Sequence, residues 1–227
     1  MSAPKQKIGV VGCGWLGGEL ALALGAECYS RETTTDESPF WQNKTIIIAI
    51  NTKDNYLKTV QKIASLTTAR IILLSSTSVY REFDGEVDEE SIITKPSLQK
   101  EVEDALLSLQ EQSVIIRLGG LMGDDRIAGR WSNTSSFEDG FVNYIHKADA
   151  IGFICAVVSK PELSGIFNAV APLHPTREQI HRQNSTQFGF ELGVFHGFSE
   201  RIVGSKRVAN ELGYEFMLPN PLDFWQS

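Results

Sequence analysis

Six residues near the amino end, Gly12-Cys13-Gly14-Trp15-Leu16-Gly17, carry the spacing G-x-G-x-x-G. Alone this is a weak signal, because glycine is common in any tight turn; the flanking elements decide its meaning. A short apolar run, Lys7-Ile8-Gly9-Val10-Val11, precedes it, and the helix-forming run Gly18 to Leu24 follows. Strand, glycine turn and helix in that order can hold a pyrophosphate. Gly12 permits the tight turn, Gly14 lets phosphates approach the backbone, and Gly17 allows close helix–strand packing. A helix beginning near Trp15, with Leu16 in its first turn, offers backbone N–H groups and a positive dipole end to that anion. Trp15 either covers a bound cofactor or plugs its pocket. A loop that is glycine-rich for packing alone is the alternative.

The second strand is expected to be Ala26–Ser30, and the residues at its end choose between dinucleotides. An acidic residue there would bind the ribose hydroxyls and repel a 2′-phosphate. Instead the chain reads Tyr29-Ser30-Arg31, with Glu32 one place late. Arg31 can pair a phosphate bidentately and Ser30 can donate to it, which favours NADP over NAD. A surface arginine is the competing reading.

Three later segments add to the turn. Ser75-Ser76-Thr77-Ser78-Val79-Tyr80 follows an apolar strand, Val114 to Gly123 reads V-I-I-R-L-G-G-L-M-G, and Asn143-Tyr144-Ile145-His146-Lys147-Ala148-Asp149 is expected to open a helix. Together with Ser205 to Gly213, which is similar to the closing helix K-x-x-x-x-x-L-G, they resemble the short-chain dehydrogenase/reductase superfamily, in its sugar-nucleotide epimerase/dehydratase branch. The G-x-G-x-x-G turn is like that of its atypical members. The resemblance covers nearly the whole chain. It implies a nicotinamide dinucleotide as cofactor, with NADP favoured over NAD by Ser30 and Arg31, hydride transfer as chemistry and a small-molecule substrate, sugar nucleotides among the candidates.

Residue by residue, the resemblance places Ser76 on the family's catalytic Ser/Thr and Thr77 beside it, and Asn51 on the lining of the nicotinamide ribose. The family's Tyr-Lys pair, Y-x-x-x-K, in which the lysine lowers the tyrosine pKa for proton exchange, has no counterpart. The expected stretch reads Lys95-Pro96-Ser97-Leu98-Gln99-Lys100, with proline four places before Lys100. Tyr80 is then a candidate substitute acid or a packing residue. Lys100 approaches the cofactor or is a solvated helix charge. Arg117 binds an anion or pairs a buried acid, and His146 and Asp149 match the family's H-x-x-D. Two readings of function stay open: an NAD(P)-dependent oxidoreductase or epimerase-like enzyme, and a non-catalytic NAD(P)-binding sensor or scaffold.

These residues need a scaffold. Apolar runs at Thr45–Ile50, Arg70–Ser75 and Ser113–Leu118 alternate with helical patterns over 54–65 and 95–112, which indicates an α/β, Rossmann-like doubly wound parallel sheet. Only residues 32–44 connect the second strand to the third, too few for the helix and strand the family fits there. Beyond 119–140, which is expected to be irregular, helices are expected over 141–159, after Pro175 and over 205–212, with a short strand at 166–169. The expected division is a dinucleotide-binding core, 1–120, and a smaller C-terminal substrate lobe, 121–227, interleaved with it.

Composition sets the outer limits. The 227 residues are 42% apolar and 22% charged, an ordinary globular balance. Lys+Arg 21 against Asp+Glu 28 leaves 21 − 28 = −7 without a basic run, so nucleic acid is not expected as a partner. Cys13, Cys28 and Cys155 are odd in number and lack metal-ligand spacing. They are expected to be free thiols in a reducing, cytoplasmic setting, with neither a disulfide framework nor a metal site. No apolar run approaches 18 residues, so a membrane is not expected as a partner either. Oligomeric state is left open.

Overall fold

The computed structural model describes residues 7–30, 35–50, 55–130 and 135–226. In chain order the elements are β1 (Ile8–Val11), α1 (Gly17–Leu24), β2 (Glu27–Tyr29), β3 (Thr45–Ile48), α2 (Tyr56–Leu66), β4 (Arg70–Ser76), β5 (Glu86–Val87), α3 (Leu98–Leu109), β6 (Val114–Leu118) and β7 (Gly120–Met122). They continue with β8 (Ser136–Gly140), β9 (Tyr144–His146), α4 (Lys147–Ser159), β10 (Gly165–Ala169), α5 (Arg177–Phe188), β11 (Val194–Ser199) and β12 (Ile202–Val203). Two units emerge. Met1–Ser75, Lys95–Arg117 and Ile154–Phe167 form one; Ser76–Thr94, Leu118–Phe153 and Asn168–Ser227 form the other. Each draws on three separated stretches, so no single cut near residue 120 divides them. No described helix is long and apolar enough to cross a membrane.

The first unit carries a six-stranded parallel sheet in the order β10-β6-β4-β3-β1-β2. Every residue of β1, β3 and β6 is buried, the pattern of strands covered on both faces. Val11 pairs in register with Ile48 on one side and Tyr29 on the other. Tyr56, Val60 and Ile63 on α2, and Val102 and Leu106 on α3, recur at three- and four-residue spacing and pack on Ile46, Ile48, Ile71, Leu73 and Ile115, one stripe of each helix facing the sheet.

The short connection between β2 and β3 replaces a helix with aromatic side chains. Ser38 caps a single tight turn, Pro39–Gln42, by accepting from the Phe40 N–H. Phe40 and Trp41 are buried there against Tyr29, with ring centroids 5.0–5.2 Å apart. The Phe40 ring lies so close over β1 that a Cβ at Gly9 would sit 2.5 Å from it. Gly9 is therefore the residue that admits the ring.

A buried charge pair crosses this unit. Arg117 on β6 and Glu103 on α3 are almost wholly inaccessible, with Arg117 Nη2 2.6 Å and Nε 3.1 Å from Glu103 Oε2. Ser75 Oγ donates to Glu103 Oε1 at 2.5 Å. Burial, reinforced by the Glu103 charge, pushes the Tyr56 hydroxyl up to about 12. Of the two readings of Arg117, the geometry selects pairing with a buried acid.

The second unit holds three two-stranded parallel ladders, β5–β12, β7–β9 and β8–β11. The helix expected over 141–159 begins only at Lys147, because Tyr144–His146 pairs with Gly120–Met122 as strand. Near 205–212 the chain makes a single wide helical turn, Val208–Leu212. Asn143 extends the backbone pairing: its Nδ2 donates to Arg201 O at 3.0 Å and its Oδ1 accepts from Val203 N at 2.7 Å. Fully buried Asp149 accepts from Tyr214 Oη, Met217 N and Leu218 N at 2.7–2.9 Å, tying the C-terminal segment to α4. His181 on α5 lies edge-on to Phe137 and Phe195.

Two stability predictions arise here. Glu103→Ala leaves the Arg117 charge buried and unpaired, and is expected to cost about 3–5 kcal/mol in urea unfolding. Replacing both partners, Glu103→Leu with Arg117→Met, is expected to recover most of it. For His181, burial and the Arg177 charge push the pKa down to about 4, against the opposing pull of Asp139. The unfolded chain therefore takes up this proton first, near pH 6.5, and the contribution to stability is complete above that pH and lost as pH falls toward about 4. Melting temperatures at pH 7.5 and pH 5 are expected to differ more in the wild type than in His181→Phe.

Candidate functional site

In the strand order, β1 lies between β2 and β3. The chain leaves β1 toward one edge, then returns to the other side, which makes the carboxyl end of β1 the switch point where doubly wound sheets take ligands. The glycine turn stands at that point. Both neighbours hold it: Gly12 N donates to Tyr29 O at 3.0 Å, and Ala49 N donates to Val11 O at 2.8 Å.

The three glycines occupy three different environments. Gly12 has φ +103°, and a Cβ there would lie 2.6 Å from Ala49 O. A Cβ on Gly17 would overlap the Gly12 carbonyl oxygen, so α1 meets the turn backbone to backbone. Around Gly14 nothing lies within 4 Å of where a Cβ would project. Tight turn, open space and close packing are therefore divided among three different glycines. Helix α1 begins at Gly17, two residues later than expected, with Leu16 as its uncapped N-cap residue. Leu16 is buried and Trp15 half-buried, Trp15 standing within the turn.

Ser30 follows directly on β2. Arg31 and Asn51 lie outside the described residues. Lys100 does not point to a cofactor role: its Nζ sits 2.5 and 2.6 Å from the carboxylate oxygens of Asp104, one helical turn on. An i,i+4 partner of opposite sign on an exposed helix face captures the ammonium first.

The expectation of free thiols at the turn is overturned. Cys13, the second residue of the turn, is disulfide-bonded to Cys28 in the middle of β2, with Cα atoms 5.9 Å apart. The odd cysteine count concealed it, since Cys155 is the one left over. The turn folds back over β2, which brings the two Cα atoms into disulfide range. Closing a loop of this length stabilises by about 3 kcal/mol on chain-entropy grounds.

In the second unit, Ser76 is half-buried and caps the tight turn Thr77–Tyr80 by accepting from Ser78 N at 3.1 Å. Thr77 is buried. Tyr80, considered as a substitute acid, is a packing residue. It is fully buried among Val79, Val87, Val170 and Val203, and its hydroxyl lies 2.9 Å from Asp88 O and 3.2 Å from Asn168 Oδ1. Glu89 accepts the Asn168 N–H at 2.8 Å, and its burial raises its pKa. Asn168 thus joins the Tyr80 turn to the acidic loop, a role invisible in a short strand reading I-F-N-A.

No family model matches the chain. Protein YeeZ of Escherichia coli K12 is 30% identical to it, across 96% of this chain and 98% of its own. Among solved structures, the human epimerase family protein SDR39U1 with NADPH aligns at TM-score 0.73 and 15% identity, covering 96% of this chain and 97% of that one. UDP-glucuronic acid 4-epimerase from Bacillus cereus in complex with NAD aligns at TM-score 0.77 and 14% identity, covering 96% and 95%. At these identities the structural likenesses establish the shared fold.

The two inner glycines are expected to respond in opposite ways to one added methyl group. Gly17→Ala must push α1 off the turn and is expected to lower the melting temperature by several degrees or prevent folding. Gly14→Ala has space for its methyl and is expected to melt close to the wild type while losing nucleotide affinity at least tenfold in a calorimetric titration.

Proposed function

Because this chain belongs to the YeeZ family, and shares its fold with epimerase/dehydratase-like proteins, we propose that it is an atypical short-chain dehydrogenase/reductase that binds a nicotinamide dinucleotide at the β1–α1 turn and acts as an oxidoreductase or epimerase-like enzyme. The observation that carries this is the open approach at Gly14, set between a turn that only Gly12 can make and a helix contact that only Gly17 allows. The dinucleotide supplies the hydride acceptor or donor. The protein's part is to hold the pyrophosphate on backbone N–H groups and the positive end of α1, and to orient a small carbonyl, hydroxyl or sugar-nucleotide substrate.

NADP is the proposed preference. Ser30 and Arg31 succeed β2 where an NAD-selective chain would have an acid, and a guanidinium can take the 2′-phosphate in two parallel hydrogen bonds. Ser76 and Thr77 are proposed as the polar groups at the reacting end. A specific observation also supports a second reading, a dinucleotide sensor without turnover. Tyr80 is buried and engaged, Lys100 is held by Asp104, and Pro96 stands where the family's tyrosine belongs, which leaves no Tyr-Lys pair to move the proton.

Parallel calorimetric titrations with NADP, NADPH, NAD and NADH test the reading. An NADP form is expected to bind at least tenfold tighter, about 1.4 kcal/mol, and Arg31→Ala to remove that preference without weakening NAD. Failure of all four to bind would overturn the proposal. Hydride exchange with a carbonyl or sugar-nucleotide panel, reduced at least tenfold by Ser76→Ala, supports the enzyme over the sensor.

A further inference from the structure

We propose that Cys13 and Cys28 form a thiol–disulfide switch on the dinucleotide site, the disulfide closing its adenosine side and the dithiol opening it. The proposal rests on the reading that a dinucleotide binds at the β1–α1 turn. Pyrophosphate sits on the turn and the adenosine ribose reaches the end of the second strand in such folds. Cys13 belongs to the first of these elements and Cys28 to the second. The crosslink therefore joins the two elements that the adenosine ribose would bridge, one residue before Gly14, beside which the space is open.

Other contacts already tie the turn to β2. Gly12 N donates to Tyr29 O, and α1 packs on the Gly12 carbonyl. The fold of the turn thus has support without the sulfur bridge, and reduction frees two short side chains rather than dissolving the site. Both cysteines are solvent-exposed, on a turn and on the edge strand of the sheet, so a thiol reagent can reach either sulfur. Cys155 is half-buried and unpaired, and its burial raises its thiol pKa, which makes it the least reactive of the three.

The switching step is ordinary thiol–disulfide exchange with a small-molecule thiol as reductant. Its thiolate attacks one sulfur of the pair, the Cys13–Cys28 bond breaks, and the other cysteine leaves as a thiolate that takes up a proton. A second thiol molecule then attacks the mixed disulfide and releases the second cysteine. Overall two electrons and two protons pass to the protein, and one disulfide of the reductant forms. By linkage, a dinucleotide that prefers the dithiol form must itself shift the exchange equilibrium toward the dithiol by the same factor.

The test titrates NADP and NADPH into two preparations of the full chain, one reduced with dithiothreitol and one oxidised with diamide, and into Cys28→Ser. Thiol counting with Ellman's reagent under denaturing conditions is expected to find three thiols in the reduced protein and one in the oxidised. Affinity is expected to be at least tenfold lower in the oxidised protein, with Cys28→Ser binding like the reduced form whatever the treatment. In a dithiothreitol redox buffer, saturating NADPH is expected to raise the dithiol-to-disulfide ratio by that same factor. Equal affinity in both states, tighter binding to the oxidised form, or three thiols after oxidation would each overturn the switch and leave dinucleotide binding standing. No binding to reduced, oxidised or Cys28→Ser protein would instead overturn the binding reading on which the switch rests.

Discussion

Between Gly12 and Gly17 there is no room for a methyl group, and much of the first unit follows from that contact. Helix α1 can reach the sheet only if its first residue packs on bare backbone. Once it does, its amino end lies at the end of β1, and β1 is the strand from which the chain turns to opposite sides of the sheet. A side chain at either position would move the helix and its dipole away from the switch point together. The packing requirement is thus met by these two residues, with the space beside Gly14 between them left open.

Buried charge is the second organising feature. Glu103 and Arg117 cost free energy to desolvate, and only their mutual geometry, with Ser75 as a further donor, offsets it. The pair joins a helix and two strands of one sheet. In the second unit Asp149 plays a comparable part through neutral donors, a tyrosine hydroxyl and two backbone N–H groups. Each carboxylate holds distant stretches of its own unit in place, because it accepts nothing less than a full set of donors once water is excluded.

The strand–turn–helix order and the alternating pattern were readable because they depend on local periodicity and on residues that no other residue can replace. The Rossmann-like sheet and the packing roles of Gly12 and Gly17 belong to this class. Where the reading went astray, neighbours far along the chain decided. Tyr144–His146 looked helical until β7 offered a partner. For Tyr80, open between a substitute acid and a packing residue, Val170, Val203 and Asn168 around it lie far along the chain, whereas the partner of Lys100 is local, Asp104 one helical turn on. The short 32–44 connection was visible as a deficit of residues, but not that Phe40 and Trp41 would cover the sheet in place of a helix.

By itself the sequence determined the class of fold, the place of the glycine turn and the absence of a Tyr-Lys pair, since each is a matter of residue type and spacing along a continuous stretch. Tertiary structure decided which acid Arg117 meets, which units the separated stretches join, and that Cys13 and Cys28 are partners. Those are distances between residues remote in the chain. They are set by strand order and by how closely backbones approach, and no local pattern records them.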